Sequence, residues 1–319
     1  MLPSLEDISA AREAIAAVGI RSPLVPLNLP VDGPRVYLKL ENLQPTGSFK
    51  LRGAAALLAG ADRDTLAGGV VTASAGNMGQ NAAWFARRLG VPCTVVVPPT
   101  APAAKIEAME RLGARVIPVS ADDWWKAFEQ RRAEGVEGVF IHAFDDVAVM
   151  AGNGTIGLEI AEDLPEVTAV IVPWGGGGLS CGIATALRSV VPGARVYAAE
   201  VATAAPLSAC LAAGEVVTVD FQPSFVDGIG SKTVLPPMFD RAVELGIEAL
   251  VAPPDEVATA LLQMLELNRT LAEGAGATSV ACALAGARDG RLTEADTVVC
   301  VVSGGVIGLD TVTQLLAAS

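Results

Sequence analysis

Residues able to perform chemistry stand at four places in the chain, and Lys50 is the first of them. The alternation in RVYLKL (35–40) predicts a half-buried strand, which Pro45 and Gly47 would end. The next segment, LRGAAALLAG, is typical of a buried helix, and Ser48 is predicted to cap it. Lys50 then lies in the first turn, where N–H dipoles disfavour a cation and lower the pKa of an amine. Such a lysine can act as a nucleophile or base. The alternative is a surface lysine whose ammonium reaches water.

Four consecutive glycines, Gly175 to Gly178, lie between the strand-like TAVIVPW and the helix-like SCGIATALRSV. Backbone without side chains at a helix N terminus lets several N–H groups converge on one anion, which predicts a phosphate site. The alternative is a flexible turn, although four glycines lose much entropy on ordering. The loop matches neither G-x-G-x-x-G nor a Walker loop, which argues against nicotinamide and nucleoside triphosphate binding.

Two more polar turns follow predicted strands. In SAGNMGQN, the short polar side chains of Ser74, Asn77 and Gln80 stand at a strand-to-helix turn, which suits a small carboxylate or, alternatively, an elaborate helix cap. Ser303 ends the buried strand TVVCVVS, where its hydroxyl can hydrogen-bond to a ring nitrogen.

The remaining reactive side chains exclude several kinds of enzyme. The one histidine, His142, is the only residue that could complete a Ser-His-Asp triad or a His-based metal cluster, and its strand-like surroundings favour a structural role. The cysteines form no C-x-x-C pair, and most are predicted to be core residues: Cys93, Cys181, Cys210, Cys282 and Cys300. An organic cofactor is therefore the economical source of chemistry.

The charge and hydrophobicity of the chain argue against nucleic acid and membranes as binding partners. The 319 residues carry a net charge of −13, which repels phosphate backbones and anionic lipid surfaces, so a nucleic-acid partner is not expected. No apolar run reaches the roughly 18 residues of a membrane span. The N-terminal segment lacks a signal-peptide pattern and predicts an amphipathic helix begun at Ser4, so we expect a cytoplasmic location.

Valine- and isoleucine-rich runs alternate with helical patterns along the whole chain. Strands of this composition are buried on both faces, which predicts an α/β fold with mostly parallel sheets flanked by helices.

Taken together, the four stretches resemble the fold type II pyridoxal-phosphate enzymes, in the branch of serine/threonine dehydratases and serine racemases. GSFKxRGA carries the Schiff-base lysine of that family, at Lys50, and SxGNxxQ begins at Ser74. The resemblance implies a pyridoxal 5'-phosphate site formed by Phe49, Lys50, Asn77, Gly175, Gly176, Gly177, Gly178, Leu179 and Ser303. It implies a substrate loop formed by Ser74, Ala75, Gly76, Asn77 and Met78, with Lys50 and Ser74 as catalytic residues.

The resemblance also implies an architecture like that of the tryptophan synthase β subunit. Residues 1–65 and 148–319 would form a discontinuous large domain that binds the cofactor. Residues 66–147 would form a small mobile domain that closes over the substrate. A homodimer is expected.

The activity that the resemblance implies is β-elimination from an L-3-hydroxy amino acid such as serine or threonine, giving a 2-oxo acid and ammonia. Lys50 would remove the Cα proton. The alternatives are an amino acid racemase of the same fold, or a homologue that binds cofactor or amino acid with altered chemistry.

Several residues depart from the pattern of the branch. Met78 replaces a usual histidine, and Trp124 and Trp125 stand where racemase-like members have an arginine, which suggests a bulkier substrate or packing. Ala75 replaces the serine that reprotonates Cα in racemases, which favours elimination. Only Glu200 is acidic where racemase-like relatives bind a divalent cation, so no tight metal site is expected.

Overall fold

The chain folds into two mainly parallel sheets flanked by helices, as a computed structural model that describes residues 1–318 shows. The strands are β1 (Leu24–Pro26), β2 (Arg35–Leu40), β3 (Val70–Ala73), β4 (Cys93–Val97), β5 (Arg115–Pro118), β6 (Val139–Phe140), β7 (Ala169–Pro173), β8 (Arg195–Val201), β9 (Glu248–Ala252) and β10 (Thr297–Val302). The helices are α1 (Leu5–Ala16), α2 (Lys50–Ala59), α3 (Arg63–Ala67), α4 (Asn77–Leu89), α5 (Ala103–Arg111), α6 (Ala121–Gln130), α7 (Val147–Asp163), α8 (Gly178–Val190), α9 (Pro206–Ala213), α10 (Pro236–Glu244), α11 (Pro254–Leu267), α12 (Gly274–Arg288) and α13 (Leu309–Ala318).

The large sheet has the order β1-β2-β10-β7-β8-β9, and only β1 runs antiparallel to its neighbour. The small sheet has the order β5-β4-β3-β6 and is parallel throughout. The expected α/β class with parallel sheets is thus confirmed. Parallel strands end on one side of a sheet, so the turns after β7 and β10 lie on the same side of the large sheet. The turn after β3 belongs to the small sheet, and it is joined to this region where Asn77 Nδ2 donates to Glu273 Oε1 at 2.8 Å.

Strand burial explains why the sheets are covered by helices on both faces. Every residue of β3, β7 and β10 is buried. Such strands cannot leave a face in water: α7, α8 and α12 supply apolar cover for β7 and β10, and α4 packs against β3. The five cysteines are free and buried, which confirms that they are core residues. No helix within residues 1–318 combines the length and apolar character needed to cross a membrane.

The N-cap residues predicted from the sequence can be compared with the structure at α1 and α2. Ser4 caps α1 through a reciprocal capping box with Asp7, as expected. The predicted cap of α2 by Ser48 is wrong, because Phe49 is the N-cap residue and no side chain caps this helix. Ser48 lies in a β-bridge with Gly304, and its buried hydroxyl is 3.4 Å from Asn81 Nδ2.

A buried group of charges anchors α2, and sequence reasoning missed it. Arg52 donates to Glu41 at 2.8 Å and to Glu159 at 2.6 Å, which joins α2 to the end of β2 and to α7. Lys39 pairs with Glu159 at 2.6 Å. The two positive and two negative charges balance, which offsets the cost of removing each from water.

Candidate active site

Lys50 is the first residue of α2, so its predicted place in the first helical turn is confirmed. Its Nζ donates to the carbonyl of Ala143 at 2.6 Å and lies 4.9 Å from the centroid of the Phe49 ring. Burial lowers the pKa of Lys50 to about 8, and the nearby Glu273 carboxylate opposes that change. The expected lowering is present, but burial rather than the helix N terminus is its main cause. An amine with this pKa is available as a base near neutral pH.

The turn after His142 presents the carbonyl that Lys50 contacts. Nδ1 of His142 accepts the N–H groups of Phe144 at 3.3 Å and Asp145 at 2.8 Å. Burial lowers the pKa of His142 to about 4, so the ring is neutral with its proton on Nε2. Its contacts hold the backbone turn, which supports the structural interpretation of this histidine.

The glycine loop connects β7 to α8 and packs closely against the aromatic rings of Phe144 and Trp174. A methyl group on Gly176 would overlap the ring of Phe144. Gly177 has φ +89°, and a Cβ there would lie 2.5 Å from the ring of Trp174. Within residues 1–318, no backbone carbonyl accepts from the N–H of Gly175, Gly176 or Gly177. Free amides at the N terminus of α8 are what a phosphate group requires.

Buried polar atoms beside this loop have hydrogen-bonding capacity to spare. Nε1 of Trp174, Oγ of Ser180 and Oδ1 of Asn153 have no partner within the described part of the chain. Nδ2 of Asn153 donates to the carbonyl of Gly178 at 3.2 Å. An unpaired buried polar group costs about 1–3 kcal/mol, so an additional polar ligand would be stabilising here. The indole N–H of Trp174 and the hydroxyl of Ser180 are donors that fit the phosphate of pyridoxal phosphate.

The turn after β3 places the predicted substrate loop at the start of α4. Ser74 Oγ accepts the N–H of Gly76 at 3.2 Å, and Gly76 is the N-cap residue of α4. The side chains of Ser74, Ala75 and Asn77 are half-buried, and a Cβ on Gly76 would meet open space. The backbone N–H groups of a first helical turn lack partners inside the helix, so this turn can receive a carboxylate.

Met78, predicted to contact substrate, is 1% exposed and packs in the hydrophobic core beneath the small sheet. This placement does not support a contact between the Met78 side chain and substrate, because this side chain, on the second residue of α4, points into the core. Trp124 packs edge-on against Phe128, at 4.8 Å between ring centroids. Nε1 of Trp125 donates to Glu129 at 3.0 Å. Both tryptophans therefore make packing or helix-surface contacts.

Ser303 follows β10, is 2% exposed and lies beside the start of α2. Its carbonyl accepts the N–H of Phe49 at 3.0 Å. The strand end and the lysine turn are therefore fixed to one another. Leu179, by contrast, is the second residue of α8, and its side chain is buried in the hydrophobic core. It therefore contributes its backbone rather than its side chain to the loop region.

Glu273 belongs to this site and was not found from the sequence. It is 4% exposed, and its Oε1 accepts from Asn77 Nδ2 at 2.8 Å. Burial raises the pKa of Glu273 to about 7; the charge of Lys105 and the hydrogen bond from Asn77 oppose this shift, whereas Asp227 adds to it. The only sequence signal was a glutamate directly before a glycine-rich helix.

Glu200, the acidic residue considered for a metal, is occupied by backbone donors. Its carboxylate accepts N–H groups of Leu207 at 2.8 Å and Ser208 at 2.7 Å, at the start of α9. Burial raises its pKa to about 7 against these two hydrogen bonds. Residues 1–318 contain no cluster of three or more His, Cys, Asp or Glu side chains that could hold a metal ion.

Comparison with known proteins places this geometry in a family. A model described as "Pyridoxal-phosphate dependent enzyme" matches residues 15–304. The chain is 40% identical over 284 residues to the L-threonine ammonia-lyase of Geobacter sulfurreducens, covering 88% of this chain and 69% of that protein. It is 38% identical over 318 residues to the L-threonine ammonia-lyase of Thermotoga maritima, covering 98% of this chain and 78% of that protein. The crystal structure of serine racemase from Dictyostelium discoideum matches with a TM-score of 0.84 and 32% identity, covering 96% of this chain and 99% of that one. The resemblance drawn from the sequence is confirmed, and the chain belongs to the pyridoxal-phosphate dependent enzyme family.

Proposed function

We propose that this protein is an ammonia-lyase that converts an L-3-hydroxy amino acid, with L-threonine as the leading substrate, to a 2-oxo acid and ammonia. The observation that carries the proposal is the half-buried Lys50, whose pKa is lowered and whose Nζ donates to the carbonyl of Ala143, directly before the Phe144 ring that packs on Gly176 of the glycine loop. The relatives named L-threonine ammonia-lyase support the reaction and the substrate.

Each chemical task has a residue suited to it. Lys50 would hold the cofactor covalently, and its neutral amine would take the Cα proton of the substrate. The glycine loop would hold the phosphate through its free amides, and Asn77 and Ser303 would orient the ring. When bound, pyridoxal phosphate supplies the electron sink that stabilises negative charge at Cα. Ser303 offers a neutral hydroxyl, so this chain provides no carboxylate of its own at the ring nitrogen.

The turn from Ser74 to Asn77 binds the substrate carboxylate in this proposal. Its half-buried hydroxyl and the first-turn N–H groups of α4 are donors aimed at one small region. Holding the carboxylate fixes which bond of Cα faces Lys50. A methyl group at Ala75 leaves the opposite face without a side-chain acid, which favours elimination over racemisation.

We also propose that the two sheets define two domains. Residues 1–65 and 148–319 form the large domain, and residues 66–147 form a small domain that closes over substrate. Polar contacts cross between them near the site: Lys50 Nζ to the carbonyl of Ala143, Asn77 to Glu273, and Lys105 Nζ to Asp227 Oδ2 at 2.6 Å. Small-angle scattering with and without substrate would measure the closure, and an unchanged radius of gyration would contradict it.

A homodimer in the cytoplasm completes the proposal. Large apolar side chains at the surface, such as Leu43 at 49% exposed and Leu309 at 77%, suit burial by a second copy. Five unpaired, buried thiols suit a reducing compartment. Sedimentation velocity tests the dimer, and a single monomeric boundary at micromolar concentration would overturn it.

The activity is tested on purified protein loaded with pyridoxal phosphate. We expect ammonia and 2-oxobutanoate from L-threonine, and a yellow chromophore that borohydride fixes onto Lys50. Lys50→Ala should lose turnover, whereas Lys126→Ala, at an exposed surface ion pair, should retain it. Borohydride labelling of another lysine, or turnover by Lys50→Ala at the wild-type rate, would refute the assignment.

A further inference from the structure

Glu273 occupies a helix-cap position without capping the helix. It is the N-cap residue of α12, yet its side chain makes no cap hydrogen bond. Its carboxylate points instead to Asn77 of α4, whose Nδ2 donates to Oε1 at 2.8 Å. A carboxylate at a helix N terminus is normally stabilised by the helix N–H groups. Here that stabilisation is given up for a contact inside the candidate site.

The backbone around Glu273 leaves room for this orientation. A Cβ on Gly304 would lie 2.5 Å from Oε1 of Glu273 and 3.2 Å from Nδ2 of Asn77. The N–H of Glu273 donates to the carbonyl of Gly304 at 2.9 Å. Gly304 directly follows Ser303, so the glutamate is fixed to the same turn that carries the proposed ring-nitrogen contact.

The charges facing Glu273 come from three elements. Lys50 of α2, Lys105 of α5 and Asp227 of the loop after α9 all act on its carboxyl group. Lys50 in turn is faced by Glu273 and lies near the neutral ring of His142. Gly304, which accepts the N–H of Glu273, forms a β-bridge with Ser48, two residues before Lys50, so the two groups belong to adjoining turns. Glu273 is therefore the carboxylate that opposes the loss of the Lys50 proton.

We propose that Glu273 is a positioning residue of the active site: it fixes the carboxamide of Asn77 with Nδ2 toward Oε1, and it places negative charge opposite Lys50. This inference rests on the proposed function for the role of Asn77 toward the cofactor. Above its raised pKa of about 7 the Glu273 side chain is ionised and only accepts hydrogen bonds, so there it selects one of the two amide orientations of Asn77. A glutamine at this position could donate or accept and carries no charge, so it would lose both effects.

The first test needs no cofactor. The rate at which a neutral acylating reagent modifies Lys50 in the apoprotein is followed against pH by peptide mapping. Because a nearby negative charge favours the ammonium, Glu273→Gln should move the midpoint from about 8 to lower pH. Glu273→Asp keeps the charge and should lie between the two. Glu200→Gln removes another buried glutamate, one whose charge is not among those acting on Lys50, and should titrate like the wild type.

The second test measures the affinity for pyridoxal phosphate by fluorescence. Losing a charge-assisted hydrogen bond should weaken binding by roughly tenfold to hundredfold in Glu273→Gln. If Glu273 acts through Asn77, then Glu273→Gln should add little to Asn77→Ala in a double-mutant cycle. Additive losses in the cycle would show that the glutamate does not act through Asn77.

The two tests separate this inference from the proposed function. A wild-type protein that fails to bind pyridoxal phosphate overturns the function, while the apoprotein titration still decides whether Glu273 acts on Lys50. A wild-type protein that binds the cofactor, together with a Glu273→Gln titration that coincides with the wild type, overturns the electrostatic half of the inference. Melting curves of all variants identify any that are unfolded, and Glu273→Asp then replaces Glu273→Gln.

Discussion

Replacing Arg52 with methionine tests whether the buried charges hold the lysine helix in place. Arg52 makes two hydrogen bonds to Glu41, two to Glu159 and one to Thr155, with donor–acceptor distances of 2.6 to 3.0 Å. Arg52 and Glu41 are fully buried, and Glu159 nearly so. Methionine fills most of the volume but leaves two buried carboxylates facing the single ammonium of Lys39. Removing one partner of a buried ion pair costs about 3–5 kcal/mol.

The free energy of unfolding is measured by urea titration, with Arg12→Met as the matched control. Arg12 pairs with Glu162 at 2.5 Å, but the two side chains are 38% and 46% exposed. An exposed pair contributes below about 1 kcal/mol, so the control should lose little. The double variant Arg52→Met with Glu41→Gln leaves one ammonium and one carboxylate, and it should recover part of the loss.

The pH dependence gives an independent check. In the wild type, burial alone would raise the pKa of Glu41, but Arg52 outweighs it and the pKa is lowered. That lowering contributes stability above the ordinary pKa of glutamate, and the contribution is lost as pH falls through the lowered value. Without Arg52 the folded-state pKa rises instead, so the variant's deficit should shrink toward acid pH. A loss within about 1 kcal/mol of the Arg12→Met loss at pH 8 would show that the charges do not hold the helix.

Three further results are expected. Gly176→Ala should reduce affinity for pyridoxal phosphate by at least about tenfold, because its methyl group overlaps Phe144. Adding Phe144→Leu should restore part of that affinity. Equal binding by the wild type and Gly176→Ala would contradict the close packing of the glycine loop against Phe144. Ala75→Ser should raise the share of D-enantiomer among products on chiral chromatography, whereas faster enantiomer exchange than ammonia release in the wild type would overturn the lyase assignment. Activity should be unchanged by EDTA at constant ionic strength, because both carboxylate oxygens of Glu200 accept backbone hydrogen bonds and are not free to bind a metal ion. A strict magnesium requirement would contradict this.

Features that depend on neighbouring residues were predictable from the sequence. The strand at 35–40, the helix beginning at Lys50 and the cap at Ser4 each follow from a few adjacent side chains. The positions of the glycine loop and of Ser303 after buried strands follow in the same way, because strand ends are read from composition.

Features that depend on contacts between distant segments were not predictable. The failed cap at Ser48 results from its bridge to Gly304, some 250 residues away along the chain by residue number. Glu273 reaches Asn77 only because α12 and α4 meet, and no local pattern marks that meeting. Met78 was assigned to the site by its place in a motif, whereas the direction of its side chain is set by the core beneath it.

The order of strands in the large sheet has a consequence for how the protein is made. Arg35 of β2 pairs with Thr297 of β10, so strands from the two ends of the chain lie side by side. The small sheet uses only strands from the segment between Val70 and Phe140. During synthesis the strands of the small sheet can pair as soon as that segment leaves the ribosome, whereas the large sheet must wait for β10. Until β10 joins them, β2 and β7 each have an unpaired edge that can pair with another chain.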